Sequence, residues 1–250
     1  MMLKEERFEI ILRELESRRK VKFEELAVLL AVSEDTIRRD IDLLYRNGLL
    51  SKTRGGAMLR EKDPLTFQDR QSFLTKEKDV IALKVQQFLK DGMTVFVDGG
   101  TTIWAVVNAM PLDIRVRMIT NNFSIVPLIE KFKNVELIFL GGNYESDLAV
   151  TSGVTTCAEV AKYNADIFIM GTCAVDPDLG VSAISATDGE TKKMMVQCAR
   201  KTIALASRNK LYQGELFRVC SIDSLNALIT DLDSNDPKLN PFRNKDLQIV

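Results

Sequence analysis

Ser33-Glu34-Asp35-Thr36-Ile37-Arg38-Arg39-Asp40-Ile41 reads as the opening of a helix. Ser33 supplies an N-cap hydroxyl, and Glu34 and Asp35 fill the first turn, where the helix dipole favours acids. Ile37, Ile41 and Leu44 make one buried stripe, which turns Arg38 and Arg39 away from it. Asn47-Gly48 closes the helix. Upstream, Phe8, Ile11, Leu12 and Leu15 share one helical face, and Phe23, Leu26, Leu29 and Leu30 share another. Downstream, residues 49–59 read as two short strands with Gly55-Gly56 nearby.

Three short helices and a hairpin, with paired arginines opening the third helix, are what a winged helix-turn-helix needs. In that motif the first residues of the recognition helix face base edges in the major groove. Arginine reads guanine bidentately, and phosphate contacts set the register. A three-helix protein-binding module with a solvated charged face fits the same pattern equally well. Residues 1–60 hold 13 bases and 11 acids, and residues 36–60 hold six bases and two acids. The basic excess is therefore local, in a chain whose formal net charge is −1.

Beyond Asp63-Pro64, the expected linker, short apolar runs alternate with helical patterns. Strands are expected at 93–97, 116–120, 135–140, 167–170, 202–206 and 227–230, with helices over 76–90, 124–132 and 190–200. That alternation predicts an α/β fold: a mostly parallel, Rossmann-like sheet covered on both faces. The expected domains are 1–60 for the winged helix-turn-helix, 61–75 for the linker and 76–250 for the α/β unit.

Ligands bind such sheets beyond the carboxyl ends of the strands. Those ends carry Asp98-Gly99-Gly100-Thr101-Thr102, Asn121-Asn122, Gly141-Gly142-Asn143, Gly171-Thr172 and Ser207-Arg208-Asn209-Lys210. A Gly-Thr turn opening a helix offers free N–H groups and a favourable dipole to an anion, with Lys210 as countercharge. Any one of these loops could be an ordinary turn. Several at one edge point to a site for a small phosphorylated ligand. Trp104, on the helix after the first loop, is expected in the core.

With 46% hydrophobic residues the chain can build a real core. It contains no histidine, which excludes Ser-His hydrolases and histidine-ligated metal sites. The cysteines at 157, 173, 198 and 220 have no CxxC spacing, so buried thiols are expected rather than zinc or redox chemistry. No apolar run approaches membrane-span length, and Met1-Met2-Leu3-Lys4-Glu5-Glu6 lacks a signal-peptide stretch. A cytoplasmic protein without a membrane partner, metal or cofactor is expected.

Two spaced patterns go further. Arg7-x3-Ile11-x3-Leu15, then Ser33-x2-Thr36-Ile37-Arg38-Arg39-Asp40-Ile41, Gly48-Leu49-Leu50 and Thr53-Arg54-Gly55-Gly56-Ala57, closely resemble the DNA-binding signature of the DeoR family of bacterial transcriptional regulators. Where that family often has a histidine before the paired glycines, this chain has Arg54. The resemblance continues through Phe67-x2-Arg70, the 98–102 loop, Thr120-Asn121, Gly141-Gly142, Asp166 before a strand with Gly171, Glu190-x-Lys192 and Lys210. It implies a sensor domain similar in fold to sugar-phosphate isomerases. It also implies a repressor of carbohydrate genes that binds a double-stranded DNA operator, as a homo-oligomer, and responds to a phosphorylated sugar.

DNA contacts are then expected from Thr36, Arg38, Arg39 and Arg54, with Ser33 more a cap than a reader. Asp40 is expected to orient an arginine rather than meet phosphate. Asp98, Gly100, Thr101, Thr102, Asn121, Gly141, Gly142, Lys192 and Lys210 become effector-site candidates. Lys192 is the weakest of them, because its helix is charged and a solvated face is the default. Ser207 stands where the family often has an acid. The alternative is an isomerase-like enzyme carrying a DNA-binding domain, with Asp98 as base and Lys210 as electrophile; no catalytic residue is expected on the regulator reading. A DNA-free scaffold is a third possibility that nothing in the sequence favours.

Overall fold

The computed structural model describes residues 4–46, 50–53, 55–58, 66–71, 74–243 and 246–250. The expected helix stop at Asn47-Gly48, the wing residue Arg54 and the Asp63-Pro64 linker lie outside the described residues. The chain divides into two compact units, Met1–Phe73 and Leu74–Val250.

In the first unit, α1 (Lys4–Arg18) is followed by β1 (Lys20–Lys22), α2 (Phe23–Leu30) and α3 (Glu34–Arg46). The hairpin β2 (Ser51–Thr53) and β3 (Gly56–Met58) comes next, then a short α4 (Phe67–Gln71). Ile11 and Leu15 of α1, Leu26 and Leu30 of α2, and Ile37, Ile41 and Leu44 of α3 close one core with Phe23, Leu50 and Ala57. The apolar spacing of each helix thus becomes a shared interior. The wing has a third strand that the helical patterns do not announce: β1 pairs antiparallel with β3, giving the order β1-β3-β2.

The second unit opens with α5 (Thr75–Val85), then β4 (Thr94–Val97), α6 (Thr101–Asn108), β5 (Val116–Thr120), α7 (Val126–Ile129) and β6 (Val135–Phe139). It continues with β7 (Asn143–Glu145), β8 (Val150–Ser152), α8 (Val154–Val160), β9 (Ile167–Gly171), β10 (Ala174–Asp176) and β11 (Gly180–Ala183). α9 (Ala186–Gln197), β12 (Thr202–Leu205), β13 (Phe217–Cys220), β14 (Ala227–Ile229) and β15 (Gln248–Ile249) complete it.

Seven strands form one sheet in the order β15-β14-β12-β9-β4-β5-β6, and every pairing in it is parallel. The central strands β9, β12 and β14 are buried on both sides and read as nearly continuous apolar runs. One face packs Val95, Val97, Met118 and Ile169 under α5 and α6, with Trp104 partly buried against this core. The other packs Phe96, Ile119, Phe168 and Met170 with Val160 of α8 and Met195 of α9. Strand order runs outward in both directions from the β4–β9 pair, so the switch point lies between β4 and β9.

Three helical expectations shift. The 76–90 helix ends at Val85 and tightens into a 3-10 turn over Gln86–Phe88. The 124–132 helix divides into a 3-10 turn, Phe123–Ile125, capped by Asn122, and then the one-turn α7, with Pro127 in its first turn. The helix expected from Glu190 begins at Ala186, where Ser185 Oγ accepts from Asp188 N, and ends at Gln197. The antiparallel hairpin β7–β8 and the small sheet β10-β11-β13 are additions. The four cysteines are free and only half-buried rather than fully buried. Burial still pushes the thiols of Cys198 and Cys220 up, the second to about 11.

Candidate DNA interface and effector site

α3 starts where the sequence places it. Ser33 Oγ accepts from Thr36 N at 3.2 Å and pairs with Thr36 Oγ1 at 2.9 Å, so the Ser33 hydroxyl is committed to capping. Arg38 and Arg39 are exposed on the opposite side of α3 from Ile37 and Ile41. Arg38 Nη2 lies 3.3 Å from Glu34 Oε2, and its guanidinium stacks 4.7 Å above the Phe23 ring. Asp40, buried, does orient an arginine, and the partner comes from α1. Arg7 Nε donates to Asp40 Oδ2 at 2.7 Å and Nη2 to Oδ1 at 3.1 Å. The bidentate pair fixes α3 against α1.

Arg38 lines one hollow with Phe23, Asp42, Lys52, Thr53 and Gly55, so α3 and the β2–β3 hairpin converge. Lys20 and Lys22 are exposed cations on β1, a strand that helical reading misses, and Lys52 is exposed on β2, inside the expected hairpin. The signal was there: Lys20-Val21-Lys22 alternates with strand period, and only Val21 is buried.

In the second unit Asp98, Gly100, Thr101 and Thr102 follow β4 at the β4–β9 switch point and Lys192 reaches Asp98 there, while Asn121 follows β5 and Gly141-Gly142 follow the edge strand β6. Asp98 is fully buried. Its Oδ1 accepts from Gly171 N at 2.7 Å across the crevice, and its Oδ2 accepts from Lys192 Nζ of α9. Gly171 has no room for a side chain, since a Cβ would stand 2.5 Å from Gly99 O. Lys192 Nζ also lies 3.5 Å from Asp188 Oδ2. Lys192 is 4% exposed, which corrects the expectation of a solvated face: α9 turns it inward onto Asp98 while Glu190 stays outside. Two acids and one lysine occupy the interior. Burial raises the Asp98 carboxyl to about 6, because desolvation and Asp188 outweigh the help of Lys192. Lys192 is held above the ordinary lysine value by Asp188 and Asp98, against its own desolvation.

Gly100 caps α6 with φ +116°, a conformation side chains resist, and open space surrounds it. The first intrahelical bond runs from Trp104 N to Gly100 O. The N–H groups of Thr101, Thr102 and Ile103 therefore have no partner one turn back, and the dipole points at this end. Asn122 Nδ2 donates to Asp98 O at 3.0 Å, tying the loop after β5 to the loop before α6. Asn121 is fully buried, with Nδ2 on Thr151 O at 2.7 Å.

Gly141 O accepts from Thr156 Oγ1 at 2.8 Å, while Gly142 is packed against Thr156 and Ser152 and faces no open space. Lys210 Nζ donates to Thr172 O, beside the end of β9. Ser207 Oγ bonds Asn209 Oδ1 at 2.7 Å. Sequence pattern gave no warning of Glu145, whose carboxylate accepts from Ser152, Ser185 and Thr187 and ties the β7–β8 hairpin to the start of α9.

Residues 74–232 match the DeoR C terminal sensor domain, and residues 7–63 match the DeoR-like helix-turn-helix domain. The chain belongs to the DeoR family. It is similar to the HTH-type transcriptional repressor GlcR of Bacillus subtilis (strain 168), 28% identical over 236 residues, covering 92% of this chain and 89% of that protein. It is 29% identical over 212 residues to the Glycerol-3-phosphate regulon repressor of Escherichia coli (strain K12), covering 84% of each. Among solved structures, ribose 5-phosphate isomerase a from Methanocaldococcus jannaschii aligns with a TM-score of 0.40 at 17% identity, over 54% of this chain and 53% of that one. The two repressors are regulators by name, and this DeoR-family chain is a transcription regulator. No described helix is long and apolar enough to cross a membrane.

The buried acid gives the DeoR-family sensor unit a pH signature. Asp98 holds its proton to about pH 6 in the folded chain, against 3.8 for an ordinary aspartate. The protonated form favours folding, so its contribution is full below about pH 4 and lost as pH rises through 6. In urea unfolding between pH 4 and 7, wild type should lose stability relative to Asp98→Asn as pH rises. A relative gain would contradict this assignment.

Proposed function

We propose that this DeoR-family protein is a cytoplasmic repressor of carbohydrate-metabolism genes that binds its DNA operator as a dimer or larger assembly. In this reading a phosphorylated sugar binds at the strand ends of the sensor unit and shifts the population away from the DNA-competent arrangement. The observation that carries it is the amino end of α6. Its N–H groups and Gly100 open onto the switch point of the sheet, in a chain that begins with a winged helix-turn-helix. Thr101 and Thr102 supply donors there, Gly141 shapes the neighbouring loop, and Lys210 contributes positive charge from the end of β9. The names of the relatives support repression and carbohydrate regulons.

The test is thermal unfolding of the full-length protein against a panel of sugar phosphates, each beside its parent sugar. A ligand at about 100 times its Kd stabilises by about 2.7 kcal/mol. One phosphorylated compound should raise the midpoint while its parent does not; a flat panel, inorganic phosphate included, rejects the anion site. Lys210→Met should keep operator affinity and lose the ligand response. Collapse of operator binding in that variant would make Lys210 structural.

On the DNA side, Arg38 reads a base once it leaves Glu34, with Thr36, Arg39 and the wing residue Arg54 beside it. Arg38→Ala should weaken specific binding by about 1–3 kcal/mol and leave binding to random duplex nearly unchanged. Equal losses on both duplexes would assign Arg38 to phosphate.

A further inference from the structure

Asn121 is fully buried at the carboxyl end of β5. Its amide cannot be turned around: the partner at 2.7 Å is the carbonyl Thr151 O, an acceptor, so Nδ2 must point there. That leaves Oδ1 buried without a hydrogen-bond partner. Among the described residues of the sensor unit, only Gln86 Oε1 shares that condition, and Gln86 sits in the turn after α5, bonded to Ala82 O and Val106 O rather than at the strand ends. An orphaned buried acceptor costs free energy that a donor would restore.

Its position tells which donor. Val97 pairs with Thr120, so Asp98 and Asn121 leave their strands side by side. Both follow residues of the α8–α9 face, Phe96 and Ile119, at a spacing of two, and so stand on that face. Asn122 ties this turn to Asp98 O, at the loop that leads to the α6 amino end. Lys192 already serves the two carboxylates there, so the interior needs no second cation. What Asn121 Oδ1 lacks is a neutral donor, and a hydroxyl supplies it.

We propose that Asn121 Oδ1 accepts a hydrogen bond from a hydroxyl of the effector, so that the site takes a phosphorylated polyol or sugar and rejects the isosteric deoxy phosphate. This rests on the phosphorylated-sugar reading above and adds the group that selects within that class. A site that hydrogen-bonds a hydroxyl strongly disfavours the analogue lacking it, because the protein group is then left unpaired.

The experiment measures binding of inorganic phosphate, glycerol phosphate, and hexose and pentose phosphates with their matched deoxy analogues to the full-length protein by calorimetry. For the compound that binds best, one deoxy analogue should bind at least about tenfold more weakly in wild type. In Asn121→Leu that ratio should fall to about one, while affinity for inorganic phosphate is kept. Wild type that ignores every deoxy substitution, or Asn121→Leu that keeps the ratio, overturns the proposal and leaves the anion site standing. If neither inorganic phosphate nor any phosphorylated compound binds, the anion-site reading falls and the proposal falls with it.

Discussion

Lys192→Met should destabilise the sensor unit by about 3–5 kcal/mol at pH 7, the typical cost of stripping one partner from a buried ion pair. The side chain is replaced by one of similar length, so lost packing contributes little. What remains is Asp98 and Asp188 in the interior with no cation between them. The loss should shrink as pH falls towards 5, because protonation of the raised Asp98 carboxyl removes the uncompensated charge. Urea unfolding at both pH values measures it. A loss below about 1 kcal/mol, or one equal at both pH values, would mean that the lysine is solvated and the pair is not buried.

Arg7→Met should cost the helix-turn-helix unit a similar 3–5 kcal/mol, towards the lower figure because Arg7 keeps a little more exposure than Asp40. The functional effect should be larger than for a surface arginine. Arg7 lies on α1, yet it holds Asp40 and with it the tilt of α3. Operator affinity is expected to drop together with the unfolding midpoint of this unit. Arg7→Met with normal DNA affinity and normal stability would reduce the pair to a surface contact.

These two pairs mark where the sequence can be read and where it stops. Strand 167–170 is legible because burial on both faces makes it an unbroken Ile-Phe-Ile-Met run, and 116–120 is legible as Val, Met and Ile interrupted only by the exposed Arg117 before Thr120. The helix stripes of Ile11, Leu15, Ile37 and Ile41 are legible because a single apolar face repeats at helical spacing. β10 and β11 are not. They are three and four residues long and built largely of Ala, Gly, Ser and Val, so no periodicity accumulates. Asp40 is half legible: an acid beside two arginines in a DNA-facing helix has to turn elsewhere, but nothing local selects Arg7. Lys192 is illegible. Glu190-Thr191-Lys192-Lys193 looks solvated, and only the packing of α9 on the sheet shows which lysine goes inward. Asp98, Gly100 and Gly171 were visible as polar and small residues at strand ends. That Asp98 bridges the switch point depends on β4 lying beside β9, which strand propensity does not encode.

The adjacency of β4 and β9 also sets a timetable. The bond from Gly171 N to Asp98 spans 73 residues and that from Lys192 spans 94, whereas Arg7 and Asp40 are 33 apart. Chains that must join distant segments close slowly, and domains fold in the order in which they leave the ribosome. The helix-turn-helix half can therefore acquire its shape while the centre of the sheet still waits for its second strand. For an interval after synthesis the first unit can then be folded while the second is not. The duration of that interval is set by a strand pairing inside the second unit, between segments distant in sequence.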